Sequence, residues 1–171
     1  MKVELVNEDG EPVGGCGVEE AHRSPGRLHR AFSVVLFDLD GRTLIQRRAA
    51  TKSRFGGLWS NTCCSHPPPG SSLIDFALGR TGEELRLEVP ALADVAQFVY
   101  QAPDEVAGWV EYEYDHVLVN ISAAADPDPD PVEVDGWRWV GVEELRAEMA
   151  ARPADFTPWF GRALDLAVSS Q

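Results

Sequence analysis

The sequence predicts an α+β fold, a mixed β-sheet with flanking helices, built as one domain over residues 1–171. Three observations carry this expectation. Two β-rich runs are joined by a tight Asp-Gly turn, so part of the sheet pairs by hairpin. Other strand-like runs are mixed with a few helical patterns. At 171 residues, with 44% hydrophobic and 25% charged content, the chain can fill one good core.

Taken in order, Lys2–Val6 reads as a short edge strand and Asn7–Gly10 as the turn after it. Gly14, Gly15 and Gly17 surround Cys16 and predict a flexible loop. Arg30–Asp40 is a strong strand signal, because Ala31–Phe37 is rich in β-formers. Asp40 and Gly41 centre the turn, and Thr43–Arg48 returns as the partner strand. Ser71–Arg86 reads as a helix, with Ser72 and Asp75 as a capping pair and Ile74, Leu78 and Leu85 on one face. Gly79 and Gly82 inside it each cost about 1 kcal/mol relative to alanine. Asp94–Gln101, Trp109–Ile121 and Trp137–Val140 are strands. The acidic, proline-spaced run Asp126–Pro131 predicts a stiff, solvated connection. Glu143–Ala150 and Pro158–Ala167 are helices.

A net charge of -13 argues against nucleic acid and against an anionic membrane surface as partners. The basic residues are uneven, however. Arg42, Arg47, Arg48, Lys52 and Arg54 place five of fifteen within thirteen positions, which suggests a small anionic ligand. Cys16, Cys63 and Cys64 form no disulfide framework and no C-x-x-C pair. No apolar run approaches the ~20 residues of a membrane helix, and the N-terminus lacks an apolar signal core. A cytoplasmic monomer is the expectation.

Chemistry concentrates in Leu58–Pro69, where two cysteines and a histidine precede three prolines. Pro67, Pro68 and Pro69 cannot donate backbone hydrogen bonds, so regular structure ends at His66. In extended chain Cys64 and His66 share one side. Such a pair makes a nucleophile and base, a metal site, or a metal ligand beside an acid–base thiol. His22 and His29 lie either side of a Pro25-Gly26 turn. In Val110–Val119, alternation puts Glu111, Glu113 and Asp115 on one face and Tyr112, Tyr114 and His116 on the other. Three imidazoles and two carboxylates suit a five- or six-coordinate divalent ion such as Zn²⁺, Mn²⁺ or Mg²⁺, although Glu111 and Glu113 by themselves read as a solvated strand face. Glu84, after Glu83 near a helix end, could hold a Mg²⁺ shared with a phosphate group.

In this order the motifs resemble the type 1 isopentenyl-diphosphate Δ-isomerases of the Nudix superfamily. The resemblance rests on Ala21-His22, Arg27–Phe32, Gln46–Lys52, Leu58–Pro67, Glu83–Leu85, Glu111–Glu113 and Pro158-Trp159, nearly the whole chain. It implies a Nudix-type mixed sheet sandwiched by helices, and the isomerisation of isopentenyl diphosphate to dimethylallyl diphosphate through a tertiary carbocation. It further implies one tightly bound divalent metal on His22, His29, His66, Glu111 and Glu113, and Mg²⁺ on Glu84 bridging to the substrate diphosphate. Cys64 and Glu113 are the implied proton-transfer groups, with Tyr100 and Trp159 lining the isoprenoid end. Arg48, Lys52 and Arg80 are the implied diphosphate contacts. Three departures, Ser71, Phe76 and Gly79, fall on or beside the helix that carries Glu84. Three other readings compete: a Nudix diphosphate hydrolase, a relative that binds an isoprenoid diphosphate but runs another carbocation reaction or only binds, and a plain metal-binding structural module, which the acid–base residues argue against. The hydrolases need an Arg-Glu pair where this chain has Gly79-Arg80.

Overall fold

The computed structural model describes residues 1–123 and 125–171. Its centre is β3 (His29–Phe37), in which every residue but Arg30 is buried. The alternation of this strand divides the core. Phe32, Val34 and Leu36 join one apolar cluster with Leu73, Ala77 and Leu85 of α2 (Leu73–Leu85). Val35 and Phe37 join another with Phe160, Ala163 and Leu164 of α4 (Phe160–Ser169), and with Leu145 of α3 (Val142–Ala151). The sheet is thus sandwiched by helices. A strand covered on both faces reads as a continuous apolar run, which is why Ala31–Phe37 was so plain a signal.

On one side β3 pairs in parallel with β8 (Trp109–Ile121), from His29 beside Glu113 to Phe37 beside Ile121. β7 (Ala93–Asp104) runs antiparallel along the far side of β8. On its other side β3 pairs with β4 (Arg42–Arg48) at one position only, Phe37 opposite Thr43. The two strands then part. Into the gap come β5 (Trp59–Ser60), paired with β4, and β6 (Cys63–Ser65), paired with β3. β9 (Val134–Gly141) lines the outer side of β4. β1 (Lys2–Val6) touches β3 through Leu5 and His29, and α1 (Val18–His22) caps that end.

Side chains hold the gap where backbone ladder bonds are missing. The Thr62 hydroxyl accepts from the Leu36 amide at 3.0 Å and donates to the Leu44 carbonyl at 2.7 Å, so one side chain spans both parted strands. Asn61 Nδ2 donates to the carbonyls of Val34 (3.2 Å) and Cys63 (2.8 Å). Gln46 Nε2 donates to the Thr62 carbonyl at 2.8 Å. All three residues are buried, and buried polar groups of this kind must be paired.

Several expectations are corrected. Lys2–Val6 is not the sheet edge, and residues around Cys16 are not a flexible loop: they form β2 (Pro12–Gly17), antiparallel to β1 with Cys16 opposite Val3. Gly15 lets Pro69 approach to where a Cβ would sit, 2.9 Å from its Cγ. The helix face toward the sheet is Leu73, Ala77, Thr81, Glu84 and Leu85, with Ile74 and Leu78 at its margin. Ser72 caps it as expected, its side chain accepting from the Asp75 amide. Nothing in the structure requires glycine at 79, where an added Cβ would meet open space. The acidic connection is docked as well as solvated: the amides of Asp128 and Asp130 donate to the carbonyls of Leu85 (3.2 Å) and Glu84 (2.9 Å). They satisfy the end of α2, where helix carbonyls have no partner of their own. No helix among the described residues is long and apolar enough to cross a membrane.

Of the basic cluster, Arg42, Arg47 and Arg48 lie in β4 itself, while Lys52 and Arg54 lie in the loop between β4 and β5, whose shape Gly56 sets. A Cβ at Gly56 would lie 2.8 Å from the Ala50 carbonyl oxygen and 2.9 Å from that of Lys52. Gly56→Ala is therefore expected to lower stability by about 1–3 kcal/mol through overpacking. Chemical denaturation checks this; an unchanged midpoint would contradict the close approach.

Candidate active site

Five side chains from four places in the chain converge at one end of β3. His22 ends α1, His29 begins β3, His66 follows β6, and Glu111 and Glu113 lie on the inward face of β8. Their candidate ligand atoms all lie within 4.8 Å of one another, and all five residues are buried. The parallel register sets His29 beside Glu113. Backbone carbonyls orient two of the rings. Nδ1 of His22 lies 2.6 Å from the Val18 oxygen, and Nδ1 of His29 lies 2.7 Å from the Arg27 oxygen. Each Nδ1 must then carry a proton, so that in a neutral ring the Nε2 lone pair faces the cluster.

Several ligand atoms of this centre have no partner among the protein's own groups. Nε2 of His22, Nε2 of His29 and Oε2 of Glu111 are buried without a hydrogen-bond partner. His22 Nε2 and Glu111 Oε2 are 2.6 Å apart, and His66 Nε2 and Glu113 Oε1 are likewise 2.6 Å apart. Lone-pair donors this crowded fit a cation, and imidazole with carboxylate suits a divalent one. The group can hold a metal ion. The reading of Glu111 and Glu113 as a solvated face fails because α1 and the histidines cover them.

A cavity of about 500 Å³ opens beside this cluster. Glu113 faces both, with Oε1 toward His66 and Oε2 accepting from the Tyr100 hydroxyl at 2.5 Å. Burial works against the charge of Glu113, but His66 and His29 outweigh it and hold its carboxyl well below the usual range. Burial, and then the Glu113 charge, push the Tyr100 hydroxyl well up, so it stays a donor. Asp115, next along the same face, is also pushed well up by burial and by Glu113, and takes a hydrogen bond from the Ser33 hydroxyl at 2.7 Å.

Cys64 lines the cavity from β6, whereas Cys63 is fully buried in the cluster under α2. Burial pushes the Cys64 thiol up to about 12, although the Arg48 charge acts the other way. Arg48 Nη1 lies 3.5 Å from Cys64 Sγ. Trp159 shares the wall, its indole nitrogen donating to Asn61 Oδ1 at 3.1 Å. Its ring is 5.8 Å from Tyr100, 5.8 Å from the Arg48 guanidinium and edge-on to Phe55 at 5.3 Å.

At the other end of the cavity, cations and carboxylates are interleaved. Arg80 reaches Glu84 at 2.6 Å and Glu133 at 3.3 Å, and Lys52 reaches Glu133 at 2.6 Å. Glu84 is 1% exposed and also takes a bond from Gln46 Nε2 at 3.2 Å. Arg48 differs from the other cations: Nε and Nη2 are bound to the carbonyls of Phe55 (3.1 Å) and Arg54 (3.0 Å), so it orders the loop as well as lining the cavity. Of the three departures, Phe76 lines the cavity and stacks edge-on to Phe32, whereas the Ser71 hydroxyl bonds the Pro68 carbonyl. Sequence reasoning missed Glu133 altogether. It lies among prolines and aspartates, where nothing local marks it.

Residues 27–160 match the NUDIX domain family. Fold likeness agrees: a crystal structure of a Deinococcus radiodurans protein superposes with a TM-score of 0.78 at 23% identity, over 98% of this chain and 99% of that one. A MutT protein of Methanosarcina mazei gives 0.67 at 15% identity, over 83% and 94%. Among curated relatives, the isopentenyl-diphosphate Delta-isomerase of Nocardia farcinica is 53% identical over 98% of this chain and 94% of its own length. That of Halorhodospira halophila is 43% identical over 95% and 92%. With such identity along nearly its full length, the chain belongs to the isopentenyl-diphosphate Delta-isomerase family of NUDIX-domain proteins.

The position of Cys64 yields a direct test. Its alkylation by iodoacetamide, followed on the isolated peptide, is expected to keep accelerating above pH 10. An inflection near the ordinary thiol value of about 8.5 would contradict the burial argument.

Proposed function

We infer that this protein converts isopentenyl diphosphate to dimethylallyl diphosphate, acting alone on this small substrate. The observation that carries the reading is that Cys64 and Glu113 face one cavity, with a cation-ready cluster behind Glu113 and basic side chains at the far end. Relatives 40–53% identical bear the isomerase name, which supports it.

The reaction adds a proton to the terminal methylene carbon of the substrate and removes one from the carbon two positions along. Between the two steps the central carbon is a tertiary cation. No proton is gained or lost overall, so the resting site must offer one protonated and one deprotonated group. Cys64, held as a thiol, and Glu113, held as a carboxylate, meet that need. Tyr100 keeps a donor on Glu113 Oε2 and fixes the oxygen that faces the cavity. The Trp159 ring, locked by Asn61, presents a π-face that stabilises positive charge, most strongly away from water.

His22, His29, His66, Glu111 and Glu113 hold the resident divalent ion in this reading. When bound it draws charge from Glu113 and neutralises the buried carboxylates. Glu84 would hold a Mg²⁺ that helps neutralise the diphosphate, while Lys52 and Arg80 would exchange Glu133 for the diphosphate oxygens and Arg48 would contribute from the end of β4. The carboxylates now paired with these cations keep the anion site from being an uncompensated positive patch before substrate arrives.

Proton NMR of isopentenyl diphosphate in D₂O tests this. Wild type with Mg²⁺ is expected to form dimethylallyl diphosphate carrying deuterium. Cys64→Ala and Glu113→Gln should each lose at least ~10²-fold in rate, the scale of a positioned proton-transfer group. Unchanged substrate with folded, metal-loaded wild type would sink the reading, and released phosphate would favour the hydrolase.

A further inference from the structure

Arg54 belongs to the basic cluster, but neither the sequence motifs nor the diphosphate end gives its side chain a part. Its Nε donates to Oε1 of Glu111 at 3.0 Å, with the guanidinium side chain 18% exposed and Glu111 5% exposed. Two bonds anchor its backbone. Its carbonyl accepts from Arg48 Nη2 at 3.0 Å, and the next amide, that of Phe55, donates to Asp104 Oδ2 at 2.8 Å. The Arg54 backbone is therefore anchored to β4 and β7, and its head reaches Glu111 of β8 from a fixed position.

The two oxygens of Glu111 are used differently. Oε1 is taken by Arg54, whereas Oε2 is buried, has no hydrogen-bond partner and lies 2.6 Å from the equally unpartnered Nε2 of His22. Glu113 shows the same division, one oxygen toward the histidines and the other held by Tyr100. A free carboxylate can turn about its last bond and offer a metal either oxygen or both. One whose second oxygen is held by a charge-assisted bond is restrained from turning and offers its other oxygen first.

We propose that Arg54 is a positioning residue for the metal centre: it holds Oε1 of Glu111, so that Glu111 presents Oε2 alone, as a one-oxygen ligand. The proposal rests on the reading of the three-histidine, two-glutamate cluster as a divalent-metal site. Its consequence is a centre in which both carboxylates are one-oxygen ligands, each fixed from outside by a dedicated donor. The guanidinium also places a fixed positive charge beside two carboxylates buried together, which matters most while no ion is present. Partners that hold a ligand in orientation are typically worth 10–100-fold in metal affinity or activity.

The experiment titrates metal-free protein with Mn²⁺, followed by electron paramagnetic resonance of the free ion, and with Zn²⁺ against a chromophoric chelator. Arg54→Ala is expected to bind both ions about 10-fold or more weakly, while its metal-free unfolding midpoint stays near that of wild type. Arg54→Gln, which keeps an amide donor, should recover part of the affinity. Inhibition by inorganic pyrophosphate should be unchanged once metal is saturating. Equal metal affinity in wild type and Arg54→Ala would overturn the proposal and leave the metal reading intact. Unchanged metal affinity with weakened pyrophosphate binding would make Arg54 a diphosphate contact instead. If wild type itself took up neither ion, the metal reading would fall and the proposal with it.

Discussion

The whole arrangement depends on the parting of β3 from β4 and on what fills the gap. Two strands that separate leave amides and carbonyls unpaired in the core, each costing about 1–3 kcal/mol if left so. Thr62 and Asn61 take up those groups, and Gln46 ties their backbone to β4. The wedge thereby carries Cys64 and His66 into the middle of the sheet, where a regular hairpin would have had no room for them. It also reaches outward. Asn61 Oδ1 receives the Trp159 indole, and Ser60 shares a hydroxyl contact of 2.9 Å with Thr157, so the aromatic wall is set by the same few residues.

Charge is organised around that wedge in two separate ways. In the histidine–glutamate cluster, acceptors crowd together and several lack any hydrogen-bond partner, a costly state in a protein interior unless a cation occupies it. In the basic part of the cavity wall, each of Lys52 and Arg80 is already satisfied by a carboxylate. In the first group the unpartnered atoms could be satisfied by a cation, whereas in the second every cation is already paired. Cys64 and Glu113 lie between them. The dry, partly aromatic wall suits a reaction whose intermediate would be captured by water.

Much of the site was legible because it is written in local spacing. The i, i+2 pairs Cys64/His66 and Glu111/Glu113 reach one face by strand alternation, and the proline run marks where His66 ends its segment. Ala31–Phe37 announced a strand by composition, and Ser72 announced a helix start. The glycines around Cys16 misled, because glycine signals freedom in an isolated chain, whereas here β1 pairs with the segment along its length and Pro69 needs the space. The acidic connection misled in the opposite sense, since its backbone, not its side chains, does the docking on α2.

By itself the sequence determined the residue types, most of the longer chain segments that become strands and helices, and which side chains share a face within the strands. It did so because alternation and capping act over two to four residues. Only the tertiary structure decided that β3 and β8 run parallel in the register that sets His29 beside Glu113, and that Glu133 and Arg54 reach the cavity. Those contacts join residues tens of positions apart. Their geometry follows from how the sheet packs against α2 and α4, a cooperative outcome of the core that no local pattern encodes.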